Sequence, residues 1–448
     1  MKNIGNGFFL KRKNSYYIQP FFPKAIHVYL LLSTTAILLS NWNIFVFTGA
    51  SVLLALLCFV SVRGDIYHPL VCYFSILVIY TVAYPLLKAS GYEPNIRSAG
   101  EAVSSFSIVI SWCSLMTVAL ILMTTRCKEG KEYNRNSENL SGLLMYIGYL
   151  ASFLVAAVFY FYLYKKGFVS KQSIAADNSL IHRLGSMGMT VNPIFMFLLV
   201  AKLRNKFGKL TVIVLSLFNG VLALAFSGER NIVLTAIFFT IFSFRYSFGF
   251  RKRTIYLIGV FAMVFLTFSA SLKLFGSKGA SLQGEDPFWV KFLMSDFSAA
   301  GFNLDNLVRT QGEWSYKWGS SFLYDFLSPV RNIIPGLTDL SSARWNQAFF
   351  WPTHKTGQGF TIIGEGFVNF GLLGSIGWMA IISLGIRHLY YQSSKSPMLF
   401  TFYTFSIIMM AYASRADLAN VISPLVKYML TIAVANRAAL FFERKIKS

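Results

Sequence analysis

Asn43–Val62 reads NIFVFTGASVLLALLCFVSV, twenty residues without a charge, closed by Arg63. A helix crossing a lipid bilayer needs about 20 mostly apolar residues, because its backbone polar groups find partners only within the helix. Working outward from this stretch, similar runs occur near 24–41, 67–88, 103–125, 142–164, 186–203 and 210–227. More follow near 230–249, 254–275, 361–390, 398–414 and 421–442, which with 43–62 makes twelve. Asn192–Pro193 interrupts the sixth and a string of glycines the tenth. The expectation is an all-α polytopic membrane protein of about 12 transmembrane helices.

Composition agrees. Of 448 residues, 55% are hydrophobic, 17% aromatic and 13% charged, the last about half the share in an ordinary globular chain. Mean hydropathy is +0.54, and 44 Phe with 23 Tyr exceed what a soluble surface hides. These figures exclude a soluble enzyme, a disordered regulator and a coiled coil. The net charge is +23, yet the basic residues punctuate the ends of apolar runs instead of forming one basic face, so nucleic acid is not the expected partner. Cys58, Cys72, Cys113 and Cys127 lack metal-ligand spacing and lie outside the long loop described next, indicating neither a disulfide framework nor a zinc site.

With the polar, basic N-terminal stretch inside, alternate connections hold 24 basic residues against five acids, and the other side 17 against 13. That bias places both termini in the cytoplasm. On the outer side lies a connection of 85 residues, 276–360, far beyond the usual handful and too rich in Trp, Phe and Leu for disorder. Phe288, Phe292, Leu293, Phe297, Leu304 and Leu307 recur at helical spacing and predict an amphipathic helix on the outer membrane face. Tyr324, Phe326, Leu327, Ile333 and Ile334, around Pro329 and Pro335, predict a second. The chain divides into a transmembrane bundle (1–275), an outer loop (276–360), periplasmic by the resemblance given below, and C-terminal spans (361–448). No internal repeat supports a transporter built from sequence-evident inverted repeats.

Charges near a bilayer default to function. Arg230 follows Ser227-Gly228-Glu229 between two spans; Arg415 sits in Ser414-Arg415-Ala416-Asp417 between the last two. Arg331 stands between the two loop prolines, and Arg344 precedes Trp345. Guanidiniums on one side of a bilayer suit a phosphate head group. The plainer reading of each is snorkelling or a local ion pair, such as Glu229 with Arg230 or Arg415 with Asp417. Glu365, among glycines in Ile363-Gly364-Glu365-Gly366, and His354, the loop's single histidine, are the candidate bases. Glu365 paired with Lys355, and an interfacial His354 without chemistry, are their plainer readings. The Gly-x-Gly here lacks a preceding strand and a following Lys-Ser/Thr, so it is no nucleotide loop.

The order and spacing of Gly228-Glu229-Arg230-Asn231, Ser328-Pro329-Val330-Arg331, Glu365-Gly366-Phe367-Val368-Asn369-Phe370-Gly371 and Ser414-Arg415-Ala416-Asp417 resemble the O-antigen and oligosaccharide repeat-unit polymerases of the Wzy type. The likeness runs over about residues 220–420. It implies a GT-C-like glycosyltransferase of the bacterial inner membrane that acts at the periplasmic face, on undecaprenyl-diphosphate-linked oligosaccharides held in membrane lipid. A chain-length regulator is an implied partner. Departure of a diphosphate calls for preorganised cations, here Arg230, Arg415 and Arg331 with Arg344, and the acceptor hydroxyl calls for a base, Glu365 or His354. No Asp-x-Asp pair occurs, so catalysis without metal or other cofactor is expected. The rivals are a lipid-linked oligosaccharide flippase, which the long loop disfavours, and an O-antigen ligase.

Overall fold

The computed structural model describes residues 17–18, 23–62, 65, 67–93, 101–125, 127–128, 140–166, 179–227, 230–248, 287–294, 297–330, 341–352 and 359–447. Apart from a two-residue antiparallel ladder pairing Tyr17–Ile18 with Cys127–Lys128, regular structure among these residues is helical. In chain order the helices are α1 (Pro23–Leu39), α2 (Ile44–Ser61), α3 (Pro69–Cys72), α4 (Phe74–Ala89), α5 (Ser105–Met123), α6 (Gly142–Lys165), α7 (Leu180–Lys202), α8 (Lys206–Ser227) and α9 (Arg230–Phe248). The long loop carries α10 (Phe288–Met294), α11 (Ser298–Arg309), α12 (Ser320–Leu327) and α13 (Ser342–Phe350). The chain closes with α14 (Ile362–Ser393), α15 (Pro397–Ala413), α16 (Ala419–Pro424), a π-helical turn at Leu425–Leu430, and α17 (Thr431–Lys447).

Eight helices among the described residues are long and apolar enough to cross a membrane, and α1, α9 and α15 contain shorter apolar segments. The run expected at 254–275 lies outside the described residues. α2 shows why this is a membrane protein: it buries Phe47, Ser51, Leu54 and Cys58 on one stripe and leaves Phe45, Val52, Leu53, Leu56 and Val60 exposed on the other. A helix apolar all round, with its bulkier face bare, requires lipid as its outer neighbour.

Lipid tails give no hydrophobic drive between helices, so close contact relies on small residues and polar clasps. α6 and α7 pack most closely. A Cβ at Gly148 would strike the ring of Phe195, one at Gly185 the ring of Phe159, and one at Gly188 would stand 3.0 Å from the Ser152 carbonyl. Buried Asn192 of α7 joins three helices, donating to Ser152 Oγ of α6 (3.1 Å) and accepting from Ser216 Oγ of α8 (2.9 Å).

Helix ends sort into two groups. At one end Arg387 donates to Thr124 Oγ1 (2.7 Å), Tyr390 to Asp65 (3.3 Å) and Lys202 to the Leu140 carbonyl (2.8 Å). At the other end the loop is fastened. Asp305 of α11 accepts the Ser104 amide (2.7 Å), Ser107 Oγ (3.0 Å) and Arg309 Nε (2.8 Å), tying α11 to the start of α5. Gly301 lets α11 approach α4, since a Cβ there would stand 2.7 Å from Tyr84 Cβ.

The loop corrects one expectation. Its first apolar stretch forms two helices, α10 and α11, instead of one, and α11 does not lie on a membrane face. Phe302, Leu304 and Leu307 are buried, with Phe302 against Tyr84 of α4. Protein, not lipid, therefore covers the apolar stripe. The second expected helix is α12, continued by a 3-10 turn at Ser328–Val330; Ile333 and Ile334 lie outside the described residues.

The tenth run departs furthest from a plain span. α14 breaks at Phe370 (φ −144°, ψ 26°) and Gly371 (φ 63°, ψ −148°). Gly371 occupies a region open essentially to glycine alone. Eight residues of straight helix would separate Gly366 from Gly374 by about 12 Å. Instead, a Cβ on Gly366 would stand 2.6 Å from the Gly374 carbonyl oxygen, and Ser375 Oγ donates to the Ile363 carbonyl at 2.9 Å. The chain folds back on itself. A short half-helix, 362–369, packs antiparallel against the first turns of the spanning half, 372–393.

Candidate functional site

The fold-back sets the site. On the half-helix Glu365 and Asn369 stand four residues apart, hence on one face. On α12, Ser321 and Asp325 have the same spacing. The two faces meet antiparallel: Asn369 Nδ2 donates to Ser321 Oγ (2.6 Å), while the Asp325 carboxyl comes within hydrogen-bonding reach of Glu365. Asn369 also accepts the Gly319 amide (2.9 Å) and donates to the Glu365 carbonyl (2.8 Å), closing the half-helix and clamping α12 onto it. Phe322 stacks on Trp378 of the spanning half, ring centroids 3.9 Å apart, as a second clamp.

Glu365 is fully buried. Its Oε2 accepts the Leu418 amide (3.1 Å) and Trp378 Nε1 (3.3 Å), whereas Oε1 and both carboxyl oxygens of buried Asp325 meet no donor among the described residues. Asp417, one residue before Leu418, is the third acid. Its Oδ2 accepts the Ala343 amide (3.1 Å) and its Oδ1 accepts Asn420 Nδ2 (2.5 Å). Among the described residues none of the three forms an ion pair. Burial first, then the neighbouring charges of Glu365 and Asp417, pushes the Asp325 carboxyl well above the usual carboxylate range, opposed in part by the Ala419 amide, which approaches without completing a hydrogen bond. Burial likewise raises Asp417, opposed by the amide of Ala343 and by Asn420.

Beside this cluster lies a pocket of about 350 Å³, walled by Tyr324 and Ser328 from the loop, Arg344 from α13, Asp417 from the turn between α15 and α16, and Asn420 and Ser423 from α16. Of the three acids only Asp417 is part of that lining, and it too is buried. Arg344 is exposed and lines the pocket. Arg415, two residues from Asp417, is half-buried and lays its guanidinium over the Tyr412 ring at 5.1 Å, while its carbonyl accepts the Phe360 amide (2.8 Å). Lys317 Nζ sits over the ring of Trp345, the residue after Arg344, at 4.7 Å. No group of three His, Cys, Asp or Glu with metal-binding geometry occurs among the described residues.

The structure thus joins Glu365, Arg344 and Arg415 around one turn. Arg331 and His354 lie outside the described residues, as does Lys355. Arg230 opens α9, and its side chain lies outside the described ones. The plainer reading of Asp417 as an ion-pair partner of Arg415 fails, because Asp417 accepts an amide and Asn420 instead. Sequence reasoning missed Asp325. The available signal was the matched spacing of Ser321 with Asp325 and of Glu365 with Asn369.

Comparison with known proteins accords with this arrangement. No curated protein and no solved structure matches the chain. The family model of O-antigen polysaccharide polymerase Wzy matches residues 24–436, nearly the whole chain and far beyond the segment whose motifs suggested it. The chain belongs to the O-antigen polysaccharide polymerase Wzy family.

Proposed function

We propose that this polymerase joins undecaprenyl-diphosphate-linked oligosaccharide repeat units at the periplasmic face of the inner membrane, without a metal ion. In this reading the loop 276–360 and the outer helix ends form one catalytic chamber between two groups of spans, twelve in all with 254–275 included, in a GT-C-like arrangement with both termini cytoplasmic. A chain-length regulator docks on the same assembly.

One observation carries the proposal: an arginine-flanked pocket backed by buried carboxyls, at the junction of loop, folded-back helix and the turn 414–418. Glycosyl transfer from a lipid diphosphate needs two things there. Cations must stabilise the leaving diphosphate, a task for Arg344 and Arg415 with Arg230 and Arg331. A base must receive the proton of the attacking hydroxyl, which falls to the acid cluster containing Glu365 or to His354. A lipid-borne donor also accounts for a site at the edge of an apolar bundle.

Purified protein supplied with lipid-linked repeat units is expected to make a ladder of longer saccharides. Transfer of label between leaflets without a ladder would mean a flippase, and transfer only to a lipid A core sugar would mean a ligase. Arg344→Ala and Arg415→Ala are each expected to lower ladder formation about 100-fold at unchanged protein level, the order of loss when one preorganised charge stabiliser is removed.

A further inference from the structure

Glu365 is sealed from the pocket, so a role in proton transfer requires an intermediary. We propose that Asp417 takes the proton from the acceptor hydroxyl, and that Asp325 and Glu365, sharing one proton behind it, are positioning residues that hold a single negative charge against it. This rests on the polymerase reading above and names the base within it.

Three observations support the assignment. Asp417, itself 1% exposed, is the one of the three acids that reaches the pocket's lining. The Ala343 amide and Asn420 fix its orientation through one hydrogen bond to each oxygen, and each carboxylate oxygen keeps a second lone pair for a substrate proton. Second, Glu365 Oε1 and both Asp325 oxygens are buried without a donor among the described residues. Two carboxyls at hydrogen-bonding reach in a dry cavity do not both ionise; one proton held between them supplies the missing donor and leaves one negative charge for the pair. Third, the loop's other deeply buried acid, Asp305, has two hydroxyl or amide donors and Arg309. That is how a structural carboxylate is satisfied; among the described residues Asp325 has no such donor and no cation pairs with any of the three acids.

The groups facing Asp417 are Arg344 and the Ala343 amide from α13, Tyr324 and Asp325 from α12 and Glu365 from the half-helix; Arg415, two residues earlier on the same turn, lays its guanidinium over Tyr412. The charge on the buried pair makes Asp417 a stronger base, in addition to the rise that its own burial gives. In the reaction the acceptor oxygen forms the new bond to the anomeric carbon. The bond from that carbon to the diphosphate oxygen breaks, and its electron pair leaves with the diphosphate. The hydroxyl proton passes to Asp417 and then to the released diphosphate or water in the pocket.

The tests use the full chain in detergent. Asp417→Asn is expected to lower kcat about 1,000-fold with KM nearly unchanged, and Asp417→Glu to recover part of the loss. The acid limb of the kcat profile separates the pair from a merely structural role. Asp325→Asn or Glu365→Gln alone leaves one negative charge and the limb in place. The double variant removes the charge and moves the limb to lower pH by about one unit. Infrared difference spectra supply a readout independent of activity: a protonated carboxyl C=O band at neutral pH, lost in either single variant. An Asp417→Asn protein with more than a tenth of the wild-type kcat, an unmoved limb in the folded double variant, or the absence of that band would each overturn the proposal. If wild-type protein makes no ladder, the polymerase reading falls, and the infrared band alone decides whether the pair shares a proton.

Discussion

Gly366 and Gly374 touch backbone to backbone, so neither position has room for a methyl group. Gly366→Ala is expected to cost about 3 kcal/mol, the upper range for forced overpacking, because the obstructing atoms are main chain and cannot swing aside. Thermal melting in detergent measures it, and Gly377→Ala, with open space at that position, is the control that should be silent. Asp325 gives a pH-dependent counterpart. Its folded-state pKa lies above the ordinary value near 4, so the folded protein holds a proton that the unfolded chain releases. Its contribution to stability is complete below pH about 4 and is lost as pH rises from there through the raised value. The melting temperature should fall across that window, with a shallower slope in Asp325→Asn. Glu365 was legible as a candidate because a carboxylate among glycines at a helix start is unusual. Asp325 was not, because an acid in an 85-residue polar-apolar loop carries no periodic signal until its partner helix is known.

The loop helices owe their places to a few buried polar contacts. Asp305 holds α11 to the start of α5, and Asp305→Ala strips Arg309 and the Ser104 amide of their shared partner. A loss of about 3 kcal/mol is expected, with faster amide exchange in 298–309 and unchanged exchange in α6 and α7; equal exchange in both regions would refute the clamp. At this scale the sequence was legible in part. Helix periodicity marked α11 and α12, but not what would cover their apolar stripes, because burial against α4 and burial in lipid select the same side chains. The fold-back of α14 was harder still. Hydropathy is blind to chain direction, so a half-helix and its spanning partner read as one long run, and only the clustered glycines hinted at a reversal.

Across the whole molecule the apolar runs were legible because a bilayer imposes one length on every crossing. The described helix ends meet in two groups, with Asp305, Glu365 and Arg415 in one and Thr124, Asp65 and Glu443 in the other. Cysteines placed at Leu323 and Trp318, both exposed, should react with an impermeant maleimide on spheroplasts in a Cys127→Ser background. A cysteine at Lys395 should react only after permeabilisation. Protection of the loop positions would reverse the assignment of sides. One feature also fixes when the enzyme becomes competent during its synthesis. The half-helix bearing Glu365 is anchored by the Leu418 amide, 53 residues further along the chain, so the ribosome finishes most crossings before that anchor exists. A chain ending short of Leu418 lacks that anchor and is expected to be inactive, so no half-built polymerase works before the last crossings are made.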